Sequence, residues 1–191
     1  MKTQKMSTQS LVLCAIMTAL VILLQFMGAF IKLGAFSISL VLVPIVIGAA
    51  LCGVGAGGWL GFVFGVVVLL SGDAAPFLAV SVPGTIITVL VKGTACGLLA
   101  GLTYKALERF GTFIAVVAAA CVCPIVNTGV FLVGCLIFFM DTVAMWAEGA
   151  GLGADVGRYM IIGLVGANFL FELLFNIVLS PVIVRLLKIK R

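Results

Sequence analysis

Lys92 and Glu172 each stand near the middle of a long apolar run, in a chain that is 64% hydrophobic and only 9% charged. An ionisable side chain at the centre of a membrane costs roughly 2.5–3.5 kcal/mol on insertion scales, so it marks a site or a buried partnership. Asn127, Asn168 and Asn176 accompany the two charges. Asn168, Glu172 and Asn176 recur every fourth residue, which aligns them on one face of a helix. Counted inward from the outer ends of their runs, Lys92 lies about nine residues deep, Asn127 about twelve and Glu172 about fourteen, which at 1.5 Å per residue places all three centrally in a bilayer. Such a cluster serves as a substrate site, as an ion or proton path, or as a Lys–Glu pair that holds helices together while the amides satisfy it. Charges that nearly cancel suit a small zwitterion, or a polar metabolite with one carboxylate and several hydrogen-bonding groups. Arg158 and Tyr159 at the outer mouth of the last run, and Trp146 in the loop before it, are further candidates for holding that ligand. Their alternative role is interfacial anchoring.

Catalytic readings lack their residues. There is no histidine, which removes H-E-x-x-H zinc proteases, histidine-based serine dyads and bis-histidine haem. Gly72-Asp73 matches part of an intramembrane aspartyl protease motif, but no second aspartate lies within an apolar run. No G-x-x-x-x-G-K-[ST] occurs, so any use of ATP belongs to another chain. The six cysteines, at 14, 52, 96, 121, 123 and 135, all fall in apolar runs, where free thiols pack as small hydrophobes, and we expect no structural disulfides and no metal site. No cofactor is expected either.

With a mean hydropathy of +1.43, the chain is read as all-α and integral to the membrane, a single domain over residues 1–191. The expected bundle has six spans, roughly 10–30, 38–54, 55–70, 83–104, 112–139 and 158–187. The uncharged stretch from Ile38 to Leu70 would reach roughly 50 Å as one helix, and Gly53-Val-Gly55-Ala-Gly57-Gly58 interrupts it, so two short spans with a tight turn fit better. Charge placement agrees. Six spans with an inside amino terminus put Lys2, Lys5, Lys105, Arg109, Arg185, Lys188, Lys190 and Arg191 on the cytoplasmic side against the single acid Glu108. Both termini are then cytoplasmic and the membrane is the plasma membrane. The net charge of +5 is therefore topological and calls for no nucleic-acid partner. Three outer connections follow, Ile31 to Ser37, Ser71 to Val82 and Met140 to Gly157, and the last two carry Pro76, Trp146 and several glycines, as a rim that closes over a site would. Gly57, Gly61 and Gly65, and again Gly93, Gly97 and Gly101, form stripes for close helix approach, within the bundle or against a partner.

Several local runs resemble the substrate-binding S components of energy-coupling factor (ECF) vitamin transporters, and the likeness covers nearly the whole chain. Ala15-Ile-Met-Thr-Ala19 is similar to the A-x-x-x-A face by which that family's first helix meets its transmembrane coupling partner. The run from Leu42-Val-Pro44 through Gly48, Gly53 and Gly57 to Gly61-Phe-Val-Phe-Gly65 resembles the family's second and third helices. Gly84-Thr-Ile-Ile-Thr, Lys92-Gly93 and Gly97-Leu-Leu-Ala-Gly101 resemble its fourth. The resemblance implies a high-affinity subunit that captures a vitamin from outside, with a pocket built from the last three helices and the outer loops. It also implies transport that requires a transmembrane coupling (T) protein, docked at Ala15 and Ala19, and two ATPase subunits. Pantothenate is the favoured ligand because the second and third helix run resembles that branch; riboflavin, thiamine, biotin, folate, cobalamin and a queuosine precursor stay open. Two competing functions are a self-sufficient secondary carrier or channel, for which no inverted repeat is found, and a structural membrane subunit.

Overall fold

The computed structural model describes residues 8–29, 32–33, 36–37, 40–153 and 155–190. Lys2, Lys5, Arg191 and parts of the first outer connection lie outside these residues, as do the side chains of Lys188 and Lys190. Among them the regular structure is helical apart from one antiparallel ladder of two residues on each side, in which Lys32 pairs with Ser37 and Leu33 with Phe36. The elements are α1 (Thr8–Ala29), α2 (Leu42–Cys52), α3 (Val54–Leu70), α4 (Ala75–Leu78), α5 (Val82–Leu107), α6 (Thr112–Phe138), α7 (Met140–Gly149) and α8 (Val156–Arg158). After α8 the chain winds as a π-helix over Tyr159–Gly166 and returns to α-helix as α9 (Ala167–Lys190).

Four helical stretches are long and apolar enough to cross a membrane: Thr8–Gly28, Val82–Phe110, Thr112–Phe138 and Asn168–Arg185. Apolar side chains cover their outer faces, as lipid contact requires. Two shorter apolar helices, α2 and α3, meet at Gly53, whose φ of 96° lies in the left-handed region that glycine enters without cost. The turn reverses the chain, so that Gly57 faces Ala49 and Leu60 covers Gly48. Every residue of α2 from Leu42 to Ala49 is buried. It is the central post of the bundle, and α1, α3, α5, α6 and α9 all pack around it.

The two glycine stripes settle against each other. Gly57 meets Gly97, Gly61 meets Gly93, and Gly65 meets Val89 and Leu90 across the antiparallel α3–α5 contact. A methyl group added at Gly61 would fall on the carbonyl oxygen of Gly93, and one at Gly97 on that of Gly57. Close backbone approach of this kind substitutes van der Waals contact for the hydrophobic drive that is missing between helices in lipid. It fixes α5, and with it Lys92, against α3. All six cysteines carry free thiols.

Candidate functional site

A cavity of about 90 Å³ lies between α1, α3, α5, α6 and the start of α9, with Asp73 and Phe77 of the α3–α5 connection at one end. That is room for several water molecules or a polar head group. Lys92, Asn127, Asn168 and Glu172 all line it. Their convergence follows from the helix contacts: the glycine seam sets α5, and α6 packs between α5 and α9.

Glu172 is 2% exposed. Its Oε1 accepts a hydrogen bond from Nδ2 of Asn168 at 3.4 Å, and Asn127 flanks the same carboxylate. The Lys92 ammonium lies within electrostatic range of Glu172 and of Asp73, yet no carboxylate among the described residues comes within 4.0 Å of it. Instead it sits 5.5 Å from the ring centre of Phe64 and 5.4 Å from that of Phe131, each a cation–π distance. Lys92 is thus held in position by aromatic faces while its three N–H donors keep capacity for an anion.

Acceptors outnumber cations in this space. Besides Glu172, Asp73 brings a second carboxylate to the cavity wall. The side-chain oxygens Oγ1 of Thr88, Oδ1 of Asn127 and Oδ1 of Asn168 are buried without a hydrogen-bond partner, and all three residues line the cavity. Buried polar atoms are seldom left unpaired, because each costs about 1–3 kcal/mol. An occupant that suits the cavity therefore offers one anionic group to Lys92 and several O–H or N–H donors to the rest.

Phe77 closes the end near Asp73. Its ring stands edge-on to Phe131 at 5.4 Å, to Phe139 at 5.0 Å and to Trp146 at 5.4 Å. The roof is therefore built from α4, α6 and α7 together. The family model for the ECF transporter, substrate-specific component, matches residues 9–184. The chain belongs to that family. No curated protein and no solved structure matches it. As an ECF S component it is a multi-pass membrane subunit that binds a small-molecule substrate, not an enzyme, and ECF systems pair such subunits with T and ATPase components.

Of the residues singled out in the sequence, Lys92, Asn127, Asn168 and Glu172 share the cavity of the S component, and four do not line it. Asn176 lies one turn beyond Glu172 on the same face, where its Nδ2 donates to the Glu172 backbone carbonyl at 2.8 Å; its own carbonyl accepts from Ser180 at 3.0 Å. Asn176 therefore supports α9 behind the cavity. Trp146 and Tyr159 pack with Phe77, Cys135, Phe139 and Met160 in the aromatic roof. Arg158 is exposed at the end of α8, its backbone N–H capped by Asp155 Oδ1 at 3.0 Å.

The cavity of the S component also includes residues that the sequence reading passed over: Gln25, Asp73, Thr85, Thr88, Phe64 and Phe131. Asp73 falls within the expected outer connection Ser71 to Val82, and the structure brings it to the cavity wall. Gln25 carried a usable signal, since it is the last polar side chain of an otherwise apolar first run. Thr85 and Thr88, three apart on α5 and 2% and 4% exposed, carried the same one.

Proposed function

We propose that this S component captures pantothenate, or a water-soluble vitamin of the same chemical type, from outside the cell and delivers it to an ATP-driven ECF module. The observation that carries the reading is the Lys92 ammonium, set between two phenylalanine rings in a cavity rich in acceptors and without an ion pair among the described residues. Pantothenate matches that inventory group by group. Its carboxylate pairs with Lys92, and its two hydroxyls and amide N–H supply donors for the carboxylates, amide oxygens and threonine hydroxyl. The vitamin is held by Lys92, Asn127, Asn168 and Glu172, under a roof that includes Trp146 and Tyr159, with Asn176 bracing α9 and Arg158 at the rim. Native mass spectrometry of the purified subunit should show a copurified molecule of pantothenate mass. Calorimetry on stripped protein should show saturable one-to-one binding of pantothenate. Tight binding of a different vitamin with no heat from pantothenate would refute the assignment.

The proposed subunit spans the plasma membrane six times, as α1, α2, α3, α5, α6 and the rod formed by α8, the π-helical turn and α9, with both termini in the cytoplasm. Short α2 is compatible with this count because its central residues face protein on all sides and need not match a hydrocarbon core of roughly 30 Å. Lys105, Arg109 and Arg185 then gather on the inner side. A cysteine introduced at Lys190 should resist an impermeant maleimide applied to intact cells and react after permeabilisation. Labelling from outside would rule out the arrangement.

A further inference from the structure

Two of the cavity's unpartnered oxygens belong to amides that share one carboxylate. Asn168, in the first turn of α9, donates from Nδ2 to Oε1 of Glu172 at 3.4 Å, and Asn127 of α6 is a hydrogen-bond donor to the same group. The Oδ1 atoms of both are buried without a partner, and both residues line the cavity. One cause accounts for both orphans. An ionised carboxylate only accepts, whereas a side-chain amide carries donors on one arm and an acceptor on the other. Glu172 therefore holds each amide by its NH2 arm, which turns each carbonyl oxygen away from Glu172. Turning either amide over would set its oxygen against a carboxylate oxygen in a buried place, where such opposition is most costly. Glu172 itself is 2% exposed and its side chain is already engaged by the two amides. Its influence on an occupant runs through them.

We propose that Glu172 is a positioning residue that locks Asn127 and Asn168 in the orientation that reads hydroxyl donors, and that it selects the vitamin through these two amides. The inference rests on the pantothenate reading above and adds how the hydroxyl-bearing end is told from a group of the same shape that cannot donate. Lys92 takes the carboxylate; the Oδ1 atoms of Asn127 and Asn168 take the hydroxyls. A ligand that presents acceptors at those positions meets two oxygens that cannot turn away.

The test compares pantothenate with N-(4-fluoro-3,3-dimethyl-2-oxobutanoyl)-β-alanine, which keeps the frame of the vitamin but carries a ketone and a fluorine in place of the hydroxyls, so that neither position donates. Calorimetry on the purified full-length chain should find wild type preferring pantothenate by roughly ten- to a hundredfold, the range for leaving a buried acceptor unpaired. In Glu172→Gln, whose amide can accept from one neighbour and donate to the other, an asparagine is free to turn over and the preference should collapse to a few fold. The double variant Asn127→Ala, Asn168→Ala should lose it as well, because the reading oxygens are gone. A purely structural role for Glu172 would weaken both ligands equally. That result, or a wild type without preference, would overturn the assignment. Preference lost in Glu172→Gln but kept in the double asparagine variant would show that Glu172 reads the hydroxyls directly, which overturns it too. Should wild type bind neither compound, the pantothenate reading and the hydroxyl assignment fall together, and the orientation of the amides is decided without ligand. Double-mutant cycles of Glu172→Gln with Asn127→Ala and with Asn168→Ala on the thermal midpoint should both show coupling, and strict additivity in either would show that Glu172 does not hold that amide.

Discussion

Replacing Lys92 by methionine is expected to weaken vitamin binding by roughly ten- to a hundredfold or more, the worth of a charge-assisted hydrogen bond with a partner left behind in a site of low polarity. Methionine keeps the length and packing of the side chain against Phe64 and Phe131, and removes only the charge. The single variant leaves Glu172 without its nearby cation, which costs stability whatever Lys92 does for the ligand. The decisive protein is therefore the double variant Lys92→Met, Glu172→Gln, in which both charges are gone and the amides keep a neutral partner. Its thermal midpoint should equal or exceed that of wild type, because two charges no longer have to be desolvated. Its vitamin binding should be lost. Charges placed for function leave that pattern, stability retained and affinity gone. A double variant that melts well below wild type and binds normally would identify the cluster as structural glue, with the ligand held in the roof near Trp146 and Tyr159.

The polar cluster was legible in the sequence because charge in an apolar run is rare and costly, and because a four-residue spacing has one geometric meaning on a helix. That logic placed Asn168 and Glu172 on a common face, and the structure has them hydrogen-bonded along α9. It also put Asn176 in the same set, yet the cavity ends at Glu172. Sharing a helical face says nothing about where along the axis a neighbouring helix closes the space. The turn at Gly53 was legible for a similar reason: length in excess of a bilayer, broken by glycines, demands a reversal.

Side chains whose position depends on a non-local contact were not legible. Asp73 reads as a loop residue, yet it stands on the cavity wall, where it accepts a hydrogen bond from Gln25 across 48 positions of sequence. The π-helical segment Tyr159–Gly166 had no sequence counterpart, since its apolar run is compatible with ordinary α-helix. Its wider winding resets the angular position of everything after it, and Leu164 and Val165 of this segment line the cavity just before Asn168. A wide turn of this type is frequent at functional sites. Here it sits where the last helix meets the roof.

The second large effect concerns α1 and separates binding from transport. Ala15 and Ala19 are exposed on the outward face of α1, among Leu11, Val12, Ile16 and Leu23, which are 60%, 52%, 52% and 54% exposed. The opposite face is tied down. Trp59 of α3 donates to Thr18 Oγ1 at 3.3 Å, and Val21 and Gln25 are buried. Two small residues one turn apart on an otherwise bulky face make a shallow groove into which another helix can settle, and the proposed occupant is the T component. Ala15→Trp or Ala19→Trp fills that groove from the outside, without touching α2, α3 or the cavity. Ligand affinity and thermal midpoint should stay at wild-type values. Uptake by cells carrying the complete transporter should fall to background, and copurification with the T component should fall with it. Normal uptake by both variants would place the coupling surface elsewhere on the subunit, whereas lost uptake together with lost ligand binding would mean that α1 is shaping the cavity through Gln25 rather than docking a partner.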